Sequence, residues 1–166
     1  PAMRDTLVAL RRDLHQHPEL AFAESRTATA LERALAVLQP LSVKRVAGTG
    51  IVARIRGRTP GAPGVAVRRD IDALPIQEAT GLPYASVNAG VMHACGHDVH
   101  AAWAVGAAHL LAARPAEGDV LIVLQPAEES GTGAAAVLAS GALDDAKAIF
   151  GAHVDRRFVV GQVVAQ

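Results

Sequence analysis

Within nine residues, Met92-His93-Ala94-Cys95-Gly96-His97-Asp98-Val99-His100, the chain carries its only cysteine, three of its seven histidines and an aspartate. Thiolate, imidazole and carboxylate are the side chains that ligate transition metals, and a lone cysteine cannot close an internal disulfide. The run reads as the beginning of a metal site whose other ligands lie elsewhere in the chain.

Three other places supply candidates. Asp70-Ile71-Asp72 follows an apolar stretch at 64–69, Gln125-Pro126-Ala127-Glu128-Glu129 follows another at 119–124, and His153 follows a third near 147–151. In open α/β sheets, ligands bind beyond the carboxyl ends of the strands. Parallel neighbouring strands would therefore bring all three to one crevice, beside the loop holding Cys95 and His97. Taken singly, each has an ordinary reading. Two adjacent glutamates are usually solvated, a single cysteine is usually a small apolar filler, and an isolated histidine usually serves structure. His109 keeps that structural reading, and His15 and His17 flank a helix end. The joint placement of the rest at strand ends or in one loop favours a site.

The elements that must position these residues follow from periodicity. Leu7, Leu10 and Leu14 at helical spacing predict an amphipathic helix over 4–15, broken at His17-Pro18-Glu19. Ala28, Leu31, Leu35 and Leu38 predict a second helix from Ser25 to Leu38, before Pro40. Val43 to Val46 and Ile51 to Ile55 read as a half-exposed antiparallel pair joined by Gly48-Thr49-Gly50. A Pro/Gly loop from Arg58 leads to a strand beginning at Gly64. Residues 70–97 carry turn residues without periodicity and read as a long ordered loop, a kind that is usually functional. Asp98 is expected to cap a buried helix running to Ala113. Val120 to Leu124 is a continuous apolar strand of the kind found at the centre of a covered sheet. A short helix at Gly133–Ala139 and a buried strand at Ala148–Phe150 complete an alternation that predicts a layered α/β fold.

Composition limits the function classes. Hydrophobic residues make up 51% and charged residues 19%, which excludes a disordered chain. Lys+Arg and Asp+Glu both total 16, so no basic excess points to nucleic acid or an anionic membrane as partner. No apolar run is long enough to span a bilayer. One cysteine fits a reducing compartment, so a cytoplasmic location is expected.

Five ordered blocks also resemble a known family. They are His15-Gln16-His17-Pro18-Glu19-Leu20 with Phe22 and Glu24, then Arg69-Asp70-Ile71-Asp72-Ala73-Leu74-Pro75-Ile76, then Met92 to Asp98, Gln125 to Glu129, and Gly151-Ala152-His153. The pattern is similar to the metal-dependent amidohydrolases of the aminoacylase/carboxypeptidase type. These include hippurate hydrolases, N-acetyldiaminopimelate deacetylases and indoleacetyl-amino-acid hydrolases. The resemblance implies a layered α/β/α catalytic domain with a mostly parallel central sheet. It implies that Cys95, His97, Glu129 and His153 ligate a two-metal centre, zinc or manganese foremost, with cobalt and nickel as alternatives. Glu128 would be the general base, and Asp72 would orient a metal ligand. The implied reaction cleaves the amide of N-acyl amino acids or small peptides, a metal-bound hydroxide being the nucleophile.

Family members are longer. Their catalytic domain is interrupted by a lid domain used for dimerisation and resumes with a last metal-binding histidine. Residues 1–166 are thus expected to be the N-terminal portion of one catalytic domain, without lid or final histidine. The expected consequences are little or no hydrolysis by this chain alone, and self-association or pairing with a complementary C-terminal chain. Arg69 and Ser130-Gly131-Thr132-Gly133 depart from the family pattern. Two other functions compete: a non-catalytic metal-binding or interaction module derived from such an enzyme, and a redox sensor at Cys95. Metal ligation would protect the thiol and argues against the sensor.

Overall fold

A computed structural model describes residues 2–165. Its elements are α1 (Met3–Gln16), α2 (Ser25–Ala36), β1 (Ser42–Val46), β2 (Gly50–Ile55), β3 (Gly64–Asp70), α3 (His97–Ala113), β4 (Val120–Gln125), α4 (Gly133–Ala139) and β5 (Ala146–Phe150). The strands form one sheet in the order β1-β2-β4-β3-β5. β4, β3 and β5 are parallel neighbours, and β2 alone runs against the other four.

Side-chain alternation divides the sheet into two faces. Val120, Ile122 and Leu124 of β4 join Ile51, Ala53 and Ile55 of β2 beneath the helices. There they meet Leu14 of α1, Ala28, Leu31 and Leu35 of α2, and Ala101, Ala104, Val105 and Ala108 of α3. Leu121, Val123, Val52 and Ala66 point the other way and pack with Val137 of α4. The result is three layers, α/β/α, as expected. Leu7, Leu10 and Leu38 line the first core, so the leucine stripes of both amphipathic helices face inward as their spacing predicts.

Three expectations need correction. β2 is not half-exposed: it lies between β1 and β4, and all its residues except Arg54 are buried. Arg54 escapes by pairing with Asp119 and Asp145. β5 is not buried, because it is an edge strand without a covering layer among the described residues; Ile149 is 52% and Phe150 59% exposed. Asp98 does not cap α3. The helix begins two residues earlier, at His97 after Gly96, and the Asp98 carboxylate is buried against His15 Nδ1 at 2.8 Å and Arg11 Nε at 2.8 Å.

The 70–97 segment is the ordered loop its sequence predicts. Leu74 and Met92 form an isolated antiparallel bridge, and Ala73 N–H donates to Glu19 O at 2.8 Å. Glu78 fastens its middle by accepting from Ser86 N at 2.6 Å and facing His15 Nε2 at 3.2 Å. No helix among the described residues is long and apolar enough to cross a membrane.

Candidate metal centre

β3 and β4 are in register from Val65↔Val120 to Asp70↔Gln125. Their carboxyl ends therefore finish side by side. Asp70 closes β3, Asp72 follows two residues later, and the turn after β4 presents Glu128 and Glu129. The N-terminus of α3 brings His97 to the same end of the sheet.

The turn after β4 is tightly built. Ala127 takes a positive φ of 53°, and its N–H donates to Glu24 Oε1 at 2.9 Å. Glu24 is fully buried, and its other oxygen accepts from the Thr49 hydroxyl. Gly133 closes the turn so near Pro126 O that a Cβ there would lie 1.7 Å from that oxygen. Nothing in the local sequence signals the role of Glu24, which acts across 103 residues.

His97 is the hub. Its Nδ1 sits 2.9 Å from Asp72 O and 3.1 Å from Asp72 Oδ1. The second Asp72 oxygen accepts from Glu129 N at 2.9 Å, so one carboxylate positions both the imidazole and the glutamate turn. His97 Nε2 is buried and has no hydrogen-bond partner. It faces Asp70 Oδ2 at 3.4 Å, Glu129 Oε1 at 3.7 Å and Glu128 Oε2 at 3.8 Å. Cys95 Sγ lies 3.3 Å from His153 Nε2. Three donor groups each gather their ligand atoms within 4.8 Å: Cys95 with His97 and His153, His97 with Glu128 and Glu129, and Asp70 with His97 and His100.

All six residues singled out from the sequence thus meet at one place. Asp70 and His100 join them. Asp70 was legible as a strand-end carboxylate, and His100 stands one helical turn from His97 on a buried face.

Electrostatics match this crowding. Burial alone would lower the basicity of His97, yet the Asp72, Asp70 and Glu129 carboxylates together raise it. Burial alone would raise Asp70 and Asp72, yet the neighbouring histidines and, for Asp70, Arg68 hold both below the usual carboxylate range. Cys95 goes the other way. Burial and the Glu129, Glu128 and Asp70 charges push its thiol up to about 11. Burial holds His93 neutral, its pKa lowered to about 4.

The residues fit a metal. An imidazole whose Nδ1 is held by a carboxylate and a backbone carbonyl, with Nε2 buried and unpartnered, is the arrangement that presents a lone pair to a cation. The surrounding thiolate, imidazole and carboxylate donors are of the types that divalent transition metals take.

Comparison with known proteins agrees. Residues 66–165 match the model of peptidase family M20/M25/M40. The chain belongs to that family. Among M20 relatives, N-acetylcysteine deacetylase of Bacillus subtilis is 48% identical over 166 residues, covering 98% of this chain and 43% of the relative. N-acetyldiaminopimelate deacetylase of Listeria innocua is 41% identical over 165 residues, covering 97% and 44%. A crystal structure from Bacillus subtilis, described as a dinuclear metal binding peptidase from the M20 family, superposes with a TM-score of 0.88 at 48% identity. It matches 93% of this chain and 44% of the other. The family resemblance read from the five blocks is borne out, and the chain spans less than half the length of these relatives.

Proposed function

We propose that residues 1–166 form the N-terminal portion of the catalytic domain of an M20 amidohydrolase that cleaves the amide of N-acyl amino acids or small peptides. The observation that carries this reading is the His97 ring, locked by Asp72 at one nitrogen and buried without a partner at the other. The names of the M20 relatives, two of them deacetylases of N-acetylated amino acids, support the substrate class.

Cys95, His97, Glu129 and His153 would hold two divalent ions, zinc or manganese. When bound, the ions would supply Lewis acidity to the substrate carbonyl and to the attacking water. Asp72 keeps His97 and the Glu129 backbone in register for them. Glu128 reaches the same space, and two adjacent carboxylates can divide the work, Glu129 as ligand and Glu128 as proton carrier. Glu128 takes the proton of the attacking water and returns it to the leaving amine nitrogen, so that water adds across the broken C–N bond. A cytoplasmic location, and association with a second copy or a complementary chain that completes the site, belong to the same reading.

The test is hydrolysis of N-acetylated amino acids by the full natural polypeptide with and without chelator, compared with Glu128→Gln. Turnover should fall about 10²–10⁴-fold while metal content stays the same. A non-catalytic metal-binding module would show no turnover to lose. Parent activity in the Gln variant would remove Glu128 from the role of base.

A further inference from the structure

We propose that His100 is a positioning residue that seats His153 against Cys95 through the backbone of Val154. The inference rests on the reading of Cys95 and His153 as metal ligands. Residues 151–165 form no helix or strand and are mostly exposed. Something must therefore fix His153, since that segment has little burial of its own to hold it.

Val154, the next residue, is gripped from two sides. Its N–H donates to His100 Nε2 at 3.1 Å. Its side chain lies over Gly96, where a Cβ would come within 2.5 Å of Val154 Cγ2. Gly96 also has a φ of 95°, in the left-handed region, so both the contact and the backbone call for glycine. This grip orients His153. Its ring meets His100 edge to face with centroids 4.4 Å apart, and its Nδ1 lies 2.6 Å from Val154 O. The Nδ1–H donates there, which leaves Nε2 turned toward Cys95 Sγ.

The chemistry of His100 suits a latch. A nitrogen that accepts an N–H must carry its lone pair, so the ring proton belongs on Nδ1. That Nδ1 is buried, makes no hydrogen bond, and faces Asp70 Oδ1 at 3.7 Å. The carboxylate favours the tautomer that the Val154 amide requires. Three chain segments are thus tied in series: the end of β3, the first turn of α3, and the His153 segment.

The competing role is ligation, since His100 Nδ1 belongs to a donor group with Asp70 and His97. Two polar substitutions separate the roles. Gln places an amide oxygen near the position of Nε2, and Asn places one near that of Nδ1. Cobalt(II) affinity, the number of ions bound and the thiolate-to-cobalt absorption band would be read for the full chain, its His100→Gln and His100→Asn variants, and His153→Ala. Amide exchange at Val154 would be read without metal. The latch predicts that His100→Gln keeps the band, the second ion and Val154 protection. It predicts that His100→Asn loses protection and weakens cobalt binding about 10–100-fold, as His153→Ala does. Retention by Asn with loss by Gln would make His100 a ligand and overturn the proposal. Parent-like behaviour in both variants would also overturn it. A parent chain that binds no cobalt would refute the metal-centre reading instead, and Val154 exchange would still decide the latch.

Discussion

Cys95 must lose a proton before it can bind a cation, and its surroundings oppose that loss. Burial and three nearby carboxylates keep the thiol protonated, with a pKa of about 11, when no cation stands beside it. In the proposed site a metal ion would therefore compete with a proton for the sulfur. The sign is fixed: affinity should rise with pH, by roughly tenfold per unit for the one proton displaced. Calorimetric titration with zinc in buffers of different ionisation enthalpy should show about one proton released per chain on account of Cys95, and Cys95→Ala should remove it. Pairing of Cys95 with His153 could not be read from spacing, because the two are 58 residues apart and meet only through the fold. Placement at a strand end put His153 in the crevice beside the Cys95 loop, and the family resemblance implied that both are ligands.

Between elements, buried carboxylates make the joints. Glu24 at the head of α2 ties the glutamate turn to the β1–β2 hairpin through Ala127 N and the Thr49 hydroxyl. Glu24→Ala would leave a buried N–H without an acceptor, and we expect a loss of about 1–3 kcal/mol by denaturant unfolding, with weakened metal binding because Glu128 and Glu129 ride on that turn. Asp98 and Glu78 hold His15 from both sides, joining α1, α3 and the 70–97 loop. The hydrogen bond to Asp98 is the main reason that the His15 pKa lies above its ordinary value, and burial opposes it. Burial would raise Asp98, but His15, His93 and Arg11 hold it low. Stability from a raised histidine is present below its unfolded pKa and fades as pH rises through the folded one. Stability from a depressed aspartate is present above its unfolded pKa and fades as pH falls through the folded one. The pair contributes most between those limits. Thermal melts should show His15→Gln costing most at mildly acidic pH, with the difference shrinking toward alkaline pH; a pH-independent difference would contradict this linkage. The helices themselves were legible, since their leucine stripes repeat at helical spacing. The place of Asp98 was not. A carboxylate near a helix start reads as a cap, and its true partner lies 83 residues away.

At the scale of the molecule, the sheet ends abruptly. Among the described residues β5 pairs with β3 on one side only, and Ile149 and Phe150 are exposed, as are Val159, Val160 and Val163. An edge strand with exposed apolar side chains invites a further strand. The 166-residue chain should self-associate with concentration in sedimentation velocity runs, and Ile149→Lys with Phe150→Lys should shift it toward monomer. Sequence by itself determined the α/β alternation, the inward faces of the helices, the long ordered loop and the residue types of a metal site. Those properties are written in local periodicity and in chemistry that few side chains can perform. Only the tertiary structure decided that β2 is an inner strand and β5 a bare edge, since burial depends on which neighbours cover a strand. It also decided that Asp72 grips His97 and the Glu129 backbone together, and that Val154 docks His153 on His100. Such contacts join residues tens of positions apart, and nothing in local spacing encodes which distant partner a buried polar group will find.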